Sequence, residues 1–256
     1  MKLFKKVGAF VCRALLDLIQ STDGKLNYIK LGLLLGTFGI YSLILSWKFA
    51  ILLMVGIGWH ESGHVWAMRR VGVSTRGFYF IPFMGGMAIS DGEYKSSRDK
   101  VIVFIMGPIW GMLLAFATWI AYLITDNPFL GVAAYWQALL NLFNLMPVNP
   151  LDGGQICRAV LTSINKTLAD VFAAISVAIF VLLFFYLKSP VFLFAAYLAG
   201  RDFWTHFKYP VDSDIQVLSR RDIIATGGSY LVLCGILILM FICTSPIGAS
   251  LNTILK

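Results

Sequence analysis

The sequence predicts an all-α polytopic membrane protein of six or seven transmembrane helices, with a short re-entrant or interfacial extended segment near residues 78–88. Three observations carry this prediction. The 256 residues are 59% hydrophobic and only 13% charged, with a mean hydropathy of +0.79, whereas soluble domains carry about 25% charged residues. Seven apolar windows reach or approach the roughly 20 residues needed to span a bilayer. They fall near 27–47, 49–68, 101–124, 131–148, 170–187, 191–207 and 229–251. Finally, 18 of the 21 Lys and Arg residues lie in residues 1–30, 69–100, 149–167 and 201–228, and 3 (Lys48, Lys188, Lys256) lie in the alternate connections. That asymmetry places the N-terminus and the larger loops in the cytoplasm. It favours topology over nucleic-acid binding as the reason for the net charge of +8.

Taken in order, residues 1–25 form a first segment. Lys2, Lys5 and Lys6 precede an apolar run that Arg13 and Asp17 interrupt. No cleavable signal peptide is expected from this pattern. It reads as an amphipathic helix on the membrane surface, or as a partly ordered basic tail. Residues 26–207 form the intramembrane core, with motif-bearing helices at 49–68 and 131–148. The reversal at Ser46-Trp47-Lys48 is soft, while Asp126-Asn127-Pro128 and Lys188-Ser189-Pro190 have clear breaker chemistry. The window at 191–207 is short and ends in Ala199-Gly200-Arg201-Asp202. Deleting it would flip the basic stretch 201–228 outward. Residues 208–256 comprise a cytoplasmic connection and an additional C-terminal helix. Cys12, Cys157, Cys234 and Cys243 show no paired spacing and read as free thiols.

Trp59-His60-Glu61-Ser62-Gly63-His64 interrupts an otherwise apolar stretch. On a helix, His60 and His64 project from one face and can grip a single metal ion, and Glu61 can reach a water held there. Ionisable groups are costly in a membrane, so such a cluster marks a functional site. Eight residues separate Glu61 from Arg69, about 12 Å of helix, so the site lies in the inner half of the bilayer. Downstream, Phe78 to Ala88 is aromatic, contains Pro82 and Gly85-Gly86, and is too short to cross as a helix.

A catalytic zinc takes three protein ligands and leaves one position for water. His206, Glu93 and Asp152 are candidates for the third. Asp152 stands out because Pro147 and Pro150 break the fourth helix and let the chain turn back, and Gly153-Gly154 allow close backbone approach. A helix-capping or turn role for Asp152 stays open. So does a helix-packing hydrogen bond for Asn141 and Asn144. His206, beside Trp204 and Phe207, reads as interfacial. Gly107-Pro108 and Gly111 suit close packing and a kink.

A His-Glu-x-x-His in a membrane helix, followed by Asn144-x-x-Pro147-x-x-Pro150-Leu151-Asp152-Gly153-Gly154, resembles the site-2 protease family of intramembrane zinc metalloproteases. The resemblance covers about residues 49–160. It implies one zinc ion held by His60, His64 and Asp152, Glu61 as general base, and Asn144 assisting at the active site. It also implies a multi-pass protein, most naturally of a prokaryotic inner membrane, whose substrates are transmembrane segments of other membrane proteins in the lipid bilayer. No PDZ domain and no nucleotide-sensing module are expected, and the window at 229–251 is a crossing beyond the family's usual six.

Three other functions compete. A divalent-metal transporter needs polar groups along a full path, but His60, Glu61, His64, Asn141, Asn144 and Asp152 crowd the cytoplasmic half. A membrane-anchored zinc protease with a glutamate third ligand has Glu93 as its one candidate. A metal-free scaffold would leave the intact motifs unexplained.

Overall fold

The computed structural model describes residues 16, 17, 19, 20, 25–83, 85–208 and 216–248. Eight helices and one β-hairpin are assigned among these residues: α1 (Tyr28–Ile44), α2 (Trp47–Arg70), β1 (Thr75–Ile81), β2 (Gly85–Ser90), α3 (Ser97–Thr125), α4 (Pro128–Asn144), α5 (Asp152–Ile164), α6 (Lys166–Leu187), α7 (Pro190–Lys208) and α8 (Arg220–Gly248). The helices α3, α6 and α8 are long and apolar enough to cross a membrane, and α1 is apolar but shorter. The chain divides into two compact units, the first built from Met1–Glu93, Ile109–Asn141 and Leu237–Lys256, the second from Tyr94–Pro108 and Leu142–Ile236. The expected surface helix at 1–25 falls mostly outside the described residues.

In the first unit, short polar side chains set the helix starts. The Asn27 side chain accepts from the Ile29 and Lys30 amides at the start of α1. Ser46 does the same for Phe49 at the start of α2, satisfying donors that have no intrahelical partner. Ser46 therefore makes a firm boundary where hydropathy gave a soft one. At its other end, α2 closes on Arg69 and Arg70, which complement the negative end of the helix dipole.

The segment expected near 78–88 is a paired antiparallel hairpin, so the fold is not purely α-helical. Its register pairs Phe78 with Ala88, Tyr79 with Met87 and Phe80 with Gly86. Alternation turns Phe78 and Phe80 inward, where they form a buried cluster with Val65, packed by Leu34, Met54 and Ile57. Positive φ angles at Gly77 (77°) and Gly85 (93°) shape the two ends.

Lys30 ties this hairpin to the start of the chain. Its ammonium, on a side chain only 2% exposed, donates to the carbonyls of Asp17 (2.9 Å), Gln20 (2.9 Å) and Arg76 (2.6 Å). It also lies 4.9 Å from the Tyr79 ring centre. Arg69 forms a bidentate pair with Asp17. Lys30→Met keeps a long flexible side chain but strands three carbonyls, and an unmet buried group costs about 1–3 kcal/mol. We expect a lowered unfolding temperature and faster proteolysis near residue 20. An unaltered protease pattern would show that Lys30 does not anchor this segment.

In the second unit, α6 and α7 pack as an antiparallel pair around Phe180, Ala195, Ala196 and Ala199. Lys188, at φ 51°, takes the left-handed turn between them, as the breaker run at 188–190 predicts. A second cluster joins Val101, Ala159 and Leu218.

Three differences from the sequence prediction have clear physical causes. First, α4 stops at Asn144 rather than 148, and residues 145–151 form the turn that Pro147 and Pro150 demand. Second, the expected connection at 149–167 contains a true helix, α5. It is amphipathic and short, so a hydropathy window passes over it. Third, α8 begins at Arg220, nine residues before its apolar window. Ser219 and Asp222 explain that start. The Asp222 amide donates to Ser219 Oγ and the Ser219 amide to Asp222 Oδ2, a reciprocal cap.

Candidate metal centre

Buried in the first unit, α2 presents His60 and His64 one turn apart, 4% and 5% exposed. Their Nε2 atoms are 3.1 Å apart, and the ring planes meet at 75°. Zinc binds imidazole nitrogen at about 2.0–2.1 Å in tetrahedral geometry, which sets two ligating nitrogens roughly 3.3 Å apart. The pair therefore suits one zinc ion.

The other nitrogen of His60 is also engaged. Its Nδ1 lies 2.8 Å from Asn141 Oδ1, while Asn141 Nδ2 donates to the Gln137 carbonyl at 2.7 Å. Both amides sit on α4 and are fully buried. Two glycines make room for them. A Cβ at Gly111 would lie 2.0 Å from Asn141 Oδ1, and one at Gly56 would lie 2.1 Å from Gln137 Nε2. The sequence suggested close packing at Gly111; its partner is this amide.

Glu61 points toward the hairpin. Its Oε2 accepts from the Ala88 amide at 2.8 Å, and the carboxylate is buried. Gly86 is the only residue type that fits opposite, since a Cβ there would meet Glu61 Cγ at 2.4 Å. Because the Ala88 N–H is spent on Glu61, this edge of β2 faces the carboxylate rather than β1. Trp59 steadies the same turn of α2 by donating its indole N–H to the Trp110 carbonyl at 2.9 Å, with the two rings edge-to-face.

In the second unit, Asp152 opens α5 and is buried. The following glycines are forced by crowding. A Cβ at Gly153 would lie 2.1 Å from the Leu145 carbonyl, and one at Gly154 would lie 2.4 Å from the Asn149 amide. The turn after α4 thus packs backbone against backbone and fixes where Asp152 begins its helix. Asn144, half-buried, is the last residue of α4. On α5, Cys157 has its thiol pushed up by burial, which disfavours the thiolate that metal binding requires. Glu93 is solvent-exposed between the hairpin and α3, an unsuitable setting for a ligand of a buried ion.

The sequence model of peptidase family M50 matches residues 48–127 and 123–187, more than half of the chain. The chain belongs to peptidase family M50. A Mycobacterium tuberculosis protein, Rip3, named as a candidate zinc metalloprotease, is 34% identical over 139 residues, covering 49% of this chain and 35% of that protein. A zinc metalloprotease of Methanocaldococcus jannaschii is 31% identical over 118 residues, covering 44% of this chain and 34% of that one. The chain thus spans about a third of the length of these curated relatives. A solved site-2 protease from Methanocaldococcus jannaschii superposes with a TM-score of 0.52 at 26% identity, covering 66% of this chain and 85% of that one. Family membership and the apolar helices together make this an integral membrane protein of the site-2 protease type.

Proposed function

We propose that the chain is an intramembrane zinc metalloendopeptidase that hydrolyses a peptide bond within or beside a transmembrane segment of a membrane-protein substrate. The observation that carries this reading is the convergence of two buried imidazole nitrogens, with the adjacent Glu61 carboxylate buried beside a strand edge. His60, His64 and Asp152 would hold the single zinc ion. When bound, zinc lowers the pKa of a coordinated water toward about 7 and polarises the scissile carbonyl.

The chain's own residues do the rest. Glu61 accepts a proton as water attacks and returns it to the leaving amine. Asn144 offers its amide N–H to the oxygen on which charge develops. The Ala88 N–H holds one carboxylate oxygen of Glu61 and leaves the other for the proton. Wild type compared with Glu61→Gln, in metal content and in co-expression with candidate single-pass membrane proteins, tests the whole reading.

A helical peptide bond is closed to attack, so the substrate has to unwind locally. We propose that the extended segment 78–88 offers a strand edge that pairs with the unwound segment. Its support is the aromatic, glycine-punctuated hairpin that lies between α2 and α3. Prolines at alternate positions along residues 78–88 are expected to reduce turnover with zinc retained, and undiminished turnover excludes strand pairing. The charge asymmetry supports six or seven crossings with a cytoplasmic N-terminus, as in a prokaryotic inner membrane.

A further inference from the structure

We propose that Asn141 is a positioning residue that decides which nitrogen of His60 faces the metal, and that Gly111 is the notch that lets it do so. This rests on the metalloprotease reading and deepens it. A neutral imidazole has one N–H and one lone pair, and only the lone pair can bind zinc. Which nitrogen carries the proton is set by the partner of the other.

An asparagine could present either its oxygen or its NH2 to His60. Here the choice is made one helical turn away. The Gln137 carbonyl takes a hydrogen bond from Asn141 Nδ2 at 2.7 Å, so Oδ1 is the atom facing His60 Nδ1 at 2.8 Å. An oxygen only accepts, hence Nδ1 carries the proton and the Nε2 lone pair turns toward His64 Nε2. A plain packing hydrogen bond between helices would not need this directionality.

Sterics point the same way. Asn141 is 1% exposed, and its amide fills the volume a side chain at position 111 would occupy. A Cβ there would lie 2.0 Å from Oδ1, 2.2 Å from Nδ2 and 2.3 Å from Cγ. The second amide is seated alike, with Gln137 against Gly56 and its Nε2 directed to the Leu52 carbonyl at 3.4 Å. Side-chain amides in apolar helices are costly and mark a functional role. The Gln137 side chain ties α4 to the Leu52 carbonyl of α2, and its backbone carbonyl fixes the Asn141 amide that faces His60.

The test uses the full chain in detergent, with zinc affinity measured by competition against a chromophoric chelator and the visible spectrum of the cobalt-substituted protein. Asn141→Ala is expected to weaken zinc binding about 10- to 100-fold, the usual effect of losing a ligand's supporting partner, and to alter the cobalt spectrum. Asn141→Asp keeps an acceptor for His60 but loses the donor to the Gln137 carbonyl, so it should retain more zinc affinity than Asn141→Ala. Gly111→Ala, which touches neither histidine, should weaken binding as Asn141→Ala does. Combined with Asn141→Ala it should add nothing, because the displaced side chain is already gone.

Wild-type affinity in Asn141→Ala, or additive effects of the two substitutions, would overturn the proposal. So would losses confined to the thermal stability of the metal-free protein. If Asn141→Ala does not accumulate, Asn141→Asp and Gly111→Ala decide the matter, the first by retaining more zinc affinity than the second. Failure of the underlying metalloprotease reading looks different. In that case wild type binds no zinc, or His64→Ala binds it as well as wild type.

Discussion

Glu61→Gln is expected to abolish cleavage while leaving one zinc ion per chain. The substitution is nearly isosteric, and a glutamine oxygen can still accept from the Ala88 amide, which lies 2.8 Å from Glu61 Oε2. The local packing against Gly86 therefore survives. What is lost is a group that can take and return a proton at ambient pH. General acid–base participation contributes about 10²–10⁴-fold, so residual turnover should fall at least that far. The measurement is single-turnover cleavage of a substrate in reconstituted vesicles, paired with metal analysis of the same preparation. Comparable turnover in the variant removes Glu61 from the mechanism. Lost turnover together with lost zinc would instead assign the glutamate to the metal site.

That experiment tests the part of the site most legible in the sequence. His60 and His64 announce themselves because a spacing of four residues has one meaning on a helix, and α2 runs unbroken through both. Asp152 stands out through the prolines before it and the glycines after it, with a capping role equally open, whereas Asn144 enters only through its motif. Asn141 was not legible as a histidine partner. Its role depends on an α2–α4 contact and on a missing side chain at Gly111 on α3, and a sequence without coordinates does not say which helices touch.

The fold shows the same division. Apolar windows located the centres of most helices, because hydropathy reports lipid-facing or buried surface. Their ends were set by individual side chains that hydropathy averages away, such as Ser46 before α2 and the Ser219–Asp222 pair before α8. The hairpin was recognised as extended through Pro82 and its glycines. Its pairing register emerges only once Phe78 and Phe80 find Val65.

Asp152→Asn is the second change expected to have a large effect, and it separates two metal sites that the sequence left open. If Asp152 is the third ligand, the amide keeps the shape of the carboxylate but loses its charge. Zinc affinity should then fall by more than the roughly 10- to 100-fold typical of a lost supporting partner. Glu93→Gln should change nothing, because Glu93 is exposed to solvent. Stability gives an independent readout. A ligand that binds only the folded chain stabilises it by about 2.7 kcal/mol at a concentration 100 times its dissociation constant. Added zinc should therefore raise the unfolding temperature of wild type and Glu93→Gln and leave Asp152→Asn unmoved. The reverse pattern would transfer the third ligand to Glu93 and make the protein a zinc protease of a different construction. Equal zinc response in both variants would mean that the two imidazoles, 3.1 Å apart at Nε2, hold the ion without either carboxylate. Catalysis would then need a ligand set that the family motif does not describe.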